Sequence, residues 1–292
     1  MKNETRKINA SKYLTAFSCT LLAGFSLLLS FNAYAVAQLM VTPTRVVFEG
    51  NERTKQINLI NNGSDTGRFK ISFVRKNMTS EGGMKLVDEN EPGLYSDEMI
   101  RFSPRLVTLE PGQSQTVRLM LRKKRGMADG EYRSHMMFQS LPDPAASDVS
   151  NLTSENPDAL SIKLVPIIGI SIPVIVRQGE LSADVSLSGF EIKQSNTVEA
   201  QSVLSLQIDR KGNKSTYGDF RVYFTPKGGV PIVIGQLNGV AVYTSLDSRS
   251  VEIKLQTPPD VNLSNGELHV TYLVPGKDET TDVIAESKLA VP

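Results

Sequence analysis

Between Leu160 and Gly179 the chain reads LSIKLVPIIGISIPVIVRQG. Every second position from Leu160 is apolar or proline: Leu160, Ile162, Leu164, Pro166, Ile168, Ile170, Ile172, Val174 and Val176. A period of two is the mark of a β-strand with one apolar face. A mean strand is about 5–6 residues, so this row is about three times longer than closing an ordinary sheet requires. Pro166 cannot donate to a ladder and divides the row. Leu160, Ile162 and Leu164 fall on one side, Ile172 to Val176 are expected to join the fold, and Ile168 and Ile170 lie between. Lys163, Pro166, Gly169 and Pro173 interrupt the run and argue against a membrane-spanning helix.

The remainder of the chain points to an all-β fold. Short alternating runs such as Arg45–Phe48, Gln56–Ile60, Phe69–Val74, Thr116–Leu121 and His135–Gln139 are separated by Gly, Asn, Asp and Pro. The pattern resumes after the long row with Val203–Ile208, Phe220–Phe224, Pro231–Ile234, Val240–Tyr243, Val251–Leu255, Leu268–Val274 and Val283–Leu289. Runs at this spacing indicate β-sandwiches. About seven strands on each side of Arg177-Gln178-Gly179-Glu180 give two immunoglobulin-like sandwiches joined by a short hinge. The expected division is residues 38–177 and 178–292. Tyr132, after the Gly130 turn, stands where a tyrosine corner would bond back to that turn. The stretch from Pro142 to Ala159, rich in Pro, Ser, Asn and Asp, is long for a loop inside a compact domain; such loops are functional or disordered.

The first 37 residues read as an export leader. Lys2, Arg6, Lys7 and Lys12 precede an apolar run from Tyr13 to Phe31, followed by Ala33-Tyr34-Ala35 and Ala35-Val36-Ala37. The alternative is an uncleaved anchor, but two overlapping small-x-small cleavage patterns favour removal. Removal takes four of 32 basic and one of 31 acidic side chains, leaving a net charge of −2. No basic excess then points to nucleic acid. The single cysteine, Cys19, leaves with the leader, so the mature chain has to rest on a hydrophobic core rather than disulfides.

Catalytic constellations are missing from the sequence. His135 and His269 lie in different expected domains and in no metal-ligand spacing, and no nucleophile elbow, phosphate loop or dinucleotide fingerprint occurs. The expectation is a protein that is no enzyme and carries no cofactor and no metal. Arg122-Lys123-Lys124-Arg125 reads as a solvated turn.

Two strings carry a resemblance. They are Thr42-Pro43-Thr44-Arg45-Val46-Val47-Phe48-Glu49-Gly50 and the segment from Arg101 to Arg118, which contains Leu109-Glu110-Pro111-Gly112-Gln113-Ser114-Gln115. Followed by Tyr132–Pro142, a long loop and a long strand, the chain resembles the PapD-like periplasmic chaperones of chaperone–usher pili. Lys211–Asp219 extends the likeness, less specifically, into the second half. The resemblance implies a periplasmic protein that binds, folds and caps pilus subunits with an incomplete immunoglobulin-like fold, delivering them to an outer-membrane usher. It implies a donor strand, here Leu160, Ile162, Leu164, Ile168 and Ile170, that completes the subunit's fold. It leaves room for a self-capping homodimer.

The same resemblance implies a basic pair in the cleft between the domains, which anchors the subunit's C-terminal carboxylate. Arg45 matches the arginine of that pair. The expected lysine would fall near Pro173, where none stands; Lys163 is too far upstream, and Arg177 is one substitute. The rival reading is a secreted or surface immunoglobulin-like structural or adhesive component, which would use the long strand within its own fold or for self-assembly.

Overall fold

In the computed structural model, the described residues are 38–88, 90–142, 167–194, 202–258, 261, 263–276 and 282–291. The leader, most of the Pro142–Ala159 loop and Leu160, Ile162, Lys163, Leu164 and Pro166 lie outside them. No helix among the described residues is long and apolar enough to cross a membrane.

Two sheets face each other in the first half. One has the order β1 (Leu39–Thr42), β3 (Thr54–Asn61), β9 (Ser114–Leu121), β7 (Ile100–Ser103). The other runs β2 (Val46–Phe48), β11 (Gly169–Gln178), β10 (Gly130–Leu141), β4 (Gly67–Val74), β8 (Leu106–Leu109). A separate hairpin pairs β5 (Lys76–Met78) with β6 (Met84–Leu86). In the second half, β12 (Ala183–Gln194), β13 (Ser202–Gly212) and β16 (Ser248–Lys254) form one sheet. The other is β15 (Ile232–Val242), β14 (Thr216–Pro226), β17 (Gly266–Leu273) and β18 (Val283–Val291).

Among the described residues the second sandwich has seven strands, the number the turn spacing suggests. The first has nine among its described residues, plus the hairpin, because its short strands carry too few alternations to be recognised from sequence. The runs Pro231–Ile234 and Val240–Tyr243 fall, but for their outer ends, on one strand, β15, whose pairing with β14 is interrupted by two register shifts. Such irregularities bend the strand and break its alternation.

Each sandwich closes over inward-facing apolar rows. Phe48, Ile57, Leu59, Leu109, Leu119, Met136 and Phe138 fill the first, and Leu204, Ile208, Phe220, Phe224, Val270 and Tyr272 the second. Tyr272 stacks on Phe220 at 4.6 Å and its hydroxyl donates to the Val240 carbonyl at 2.8 Å, so its polar end is satisfied in the core. Tyr132 donates to the Ala128 carbonyl at 3.0 Å, closing the turn as a tyrosine corner does.

Between the sandwiches lies a third apolar cluster, Met78, Ile175, Ala241 and Tyr243, with Val47, Tyr217 and Leu246 against it. The chain passes from one half to the other at Gly179, whose φ of +74° suits glycine, and where a Cβ would overlap the Asp129 carboxylate.

Candidate functional site: an open strand edge beside a cationic cleft

Strand β11 is the described part of the long apolar row. On one side it pairs with β10 from Gly169↔Gln139 to Gln178↔Gly130. On the other side, among the described residues, it meets only β2, at Val174–Val176. Ile168 marks the phase of the ladder: its carbonyl accepts from the Ser140 N–H and its N–H donates to Ser140 Oγ, both at 2.8 Å. Alternation then turns the main-chain groups of Gly169, Ser171 and Pro173 toward the edge that β2 leaves uncovered. Pro173 fits there because its nitrogen is not asked to donate to β10.

The even-numbered side chains of this strand form one row. Ile172, Val174 and Val176 are buried in the first core, Ile170 packs half-buried against it, and Ile168 is 51% exposed. The apolar row therefore runs outward from the core along an edge that no described strand covers, an arrangement that invites another strand.

The odd-numbered positions face the second sandwich. On β10, Glu131, Arg133 and His135 pair across from Arg177, Ile175 and Pro173 of β11. Arg45, one residue before β2, follows the phase of Val47 toward the same cleft. The chain leaves one sheet after Thr42 and enters the other at Val46, and this crossover carries Arg45 to the boundary.

Arg45 lies over the Tyr217 ring at 4.8 Å and the Tyr243 ring at 5.7 Å, and its Nη2 donates to Ser215 Oγ at 3.2 Å. Its buried Nη1 has no hydrogen-bond partner among the described residues. Arg133 sits 3.7 Å above the Tyr243 ring. Its Nη2 donates to the Lys76 carbonyl, while Nε and Nη1 are buried without partners. Burial holds the Arg133 guanidinium below its usual range, and the nearby Arg45 charge adds to that effect.

Arg177, the substitute considered for the missing lysine, is already engaged. It pairs with Glu49, and its Nε donates to the fully buried Glu131 carboxylate at 3.1 Å. The same Glu131 oxygen accepts the Ser215 N–H at 3.2 Å, tying the two sandwiches together. Lys76 donates to Ser171 Oγ at 2.8 Å. Lys214 is different: it lines a cavity of about 410 Å³ with Arg45, Val47, Thr216, Tyr217 and Ile284. Its side chain has no partner among the described residues.

His135 is buried against Arg133, Lys76 and the Tyr243 edge, and burial first, then those two cations, pushes it down to about 3 from 6.5. The folded state therefore resists a proton that the unfolded chain takes up once pH falls below about 6.5. Stability present above that value is lost as pH falls from about 6.5 toward 3, at up to about 1.4 kcal/mol per pH unit. His135→Gln removes that part of the slope in denaturant titrations at stepped pH; an unchanged slope would mean that His135 is accessible to water.

Sequence reading placed Arg45 at this cleft but missed Lys214, Glu131 and Arg133. A signal was present for the last two. Glu131, Arg133 and His135 stand at alternate positions opposite an apolar row, which marks a strand with a second, polar buried face. Lys214 carried no comparable mark. Among the described residues no group of three or more His, Cys, Asp or Glu side chains could hold a metal ion.

One family model and several solved structures are similar to this chain. Residues 38–177 match the family model for the pili and flagellar-assembly chaperone, PapD N-terminal domain. No curated protein matches the chain. Among solved structures it is similar to the Pseudomonas aeruginosa CupB2 chaperone, with 11% identity over 87% of this chain and 100% of that one, at a TM-score of 0.42. A chain of the Acinetobacter baumannii CsuC–CsuE chaperone–tip adhesion subunit pre-assembly complex shares 12% identity over 87% of this chain and 97% of its own, at 0.41. A chain of the Salmonella enterica SafA pilin–SafB chaperone complex shares 14% over 89% and 99%, also at 0.41. The match places residues 38–177 among the PapD N-terminal domains of pili and flagellar-assembly chaperones.

Proposed function

We propose that this protein is a periplasmic chaperone that captures pilus subunits lacking a final strand, holds them folded and delivers them to an outer-membrane usher. Export by a cleaved leader over residues 1–37 and a division into domains 38–177 and 178–292 belong to the same proposal. The observation that carries it is the apolar row of β11 running out of the core along an uncovered edge. Donation of the row Leu160, Ile162, Leu164, Ile168 and Ile170 would give a subunit both main-chain partners and alternate side chains. Each transferred Ile or Leu contributes about 1.5–3 kcal/mol, against about 0.5–1.5 for each main-chain hydrogen bond. The side chains therefore set affinity and the ladder sets register.

The subunit's C-terminal carboxylate is assigned to the 410 Å³ cavity, between Arg45 and Lys214. A guanidinium fork suits a carboxylate, and Lys214 supplies a second, uncommitted cation. The anchor would then draw on both sandwiches. Arg45→Ala and Lys214→Ala are each expected to weaken subunit capture about tenfold to a hundredfold, the usual range for a charge-assisted hydrogen bond. Co-purification from periplasm measures this, with a subunit amidated at its C-terminus as control. Equal loss of affinity with the free-acid and amidated subunits would refute the carboxylate assignment while leaving strand donation standing. A free chain that polymerises by itself and captures no subunit would instead favour the structural reading.

A further inference from the structure

We infer that the outer face of the β3–β9–β7 sheet is a second docking surface, built for an extended acidic polypeptide segment of a partner protein. On β9, Arg118 and Met120 are exposed on alternate positions, Arg122 follows in the same phase just past the strand's end, and Arg101 of β7 lies directly across from Met120. Arg118 and Arg122 are therefore the diagonal neighbours of Arg101, about 7–8 Å away in an antiparallel pair. None of the three guanidinium groups has an ion-pair or hydrogen-bond partner among the described residues. Met120 is 47% exposed at their centre. They line a groove of about 480 Å³ with Lys55, Gln56 and Phe102, and none of its lining residues is acidic.

The fold does not require this. Clustered like charges on a sheet are unfavourable, and a mature chain of net charge −2 has no general basic excess to spread. Charge complementarity selects a partner rich in carboxylates, which arginine forks can grip in pairs. The exposed, adaptable Met120 adds a seat for an apolar side chain between those carboxylates. A partner of this composition fits the concave groove better than a flat lipid surface does. The face lies on the sheet opposite the one that contains β11, so the inference does not depend on strand donation.

The test is fluorescence anisotropy with the full mature chain and a labelled peptide, Glu-Glu-Leu-Glu-Glu-Leu-Glu-Glu. Its Gln-for-Glu counterpart, phosphatidylglycerol vesicles and oligothymidine serve as comparison probes. The acidic peptide is expected to bind more tightly than all three at about 0.15 M ionic strength, and to weaken as salt rises. Arg101→Glu plus Arg118→Glu is expected to cost at least about tenfold without moving the melting temperature, and Met120→Ser a smaller loss. Unchanged binding by the double variant, or equal binding of the Gln peptide, overturns the proposal. Tighter binding of vesicles or of oligothymidine overturns it as well, because the face would then serve lipid or nucleic acid.

Discussion

Ile162→Asp plus Ile168→Asp is expected to abolish subunit capture while the chain stays folded. Ile168 is about half exposed and is not needed to fill the first core, whose β11 members are Ile172, Val174 and Val176, and Ile162 lies upstream of it on the same alternating row of the sequence. In the captured state both side chains would enter a subunit's groove, and two lost transfers remove about 3–6 kcal/mol. Two unpaired carboxylates pressed into apolar surroundings add several more. Even the lower figure is a loss of more than a hundredfold in affinity. The comparison that isolates the effect is co-purified subunit per unit of folded protein, with melting temperatures measured alongside. Recovery equal to wild type would remove the donor row from the account.

Glu131→Ala is expected to have the largest effect on stability of any single polar substitution at the boundary. The carboxylate is fully buried and accepts from the Arg177 guanidinium and from the Ser215 main chain of the second sandwich. Truncation leaves a buried N–H without a partner and frees one side of Arg177, which Glu49 still holds. Removing one partner of a buried pair costs about 3–5 kcal/mol, and the remaining Glu49 contact puts this case near about 3. Glu131→Gln keeps an acceptor and is expected to cost about half as much. Denaturant unfolding measures both. Because Ser215 also holds Arg45, Glu131→Ala should weaken subunit capture beyond its effect on the amount of folded protein. An alanine variant as stable as wild type would show that the two sandwiches are not joined through this carboxylate.

The sandwich fold was legible because its long strands keep the period of two. Strands β4, β9, β13 and β14 each carry three apolar residues in phase. The short strands Leu39–Thr42 and Leu106–Leu109 carry two each, too few to separate from a turn, and became visible only through their partners. Arg45 was legible by resemblance. Lys214 was not, because its significance comes from a cavity shared between residues 169 positions apart in sequence. The polar face of β10 was legible in principle. Polar residues at Glu131, Arg133 and His135 read as solvent-facing until the second sandwich is placed over them.

The account depends most on what happens at the uncovered edge of β11. Amide hydrogen exchange at Gly169 and Ser171 tests that edge directly, since the ladder phase turns both N–H groups away from β10. In the free chain both are expected to exchange rapidly. In the complex with a captured subunit both should slow by orders of magnitude, while the interior amides of Ile172 and Val174, bonded to β10 throughout, should change little. Gly169 and Ser171 amides that exchange equally fast with and without subunit would contradict strand donation by this protein.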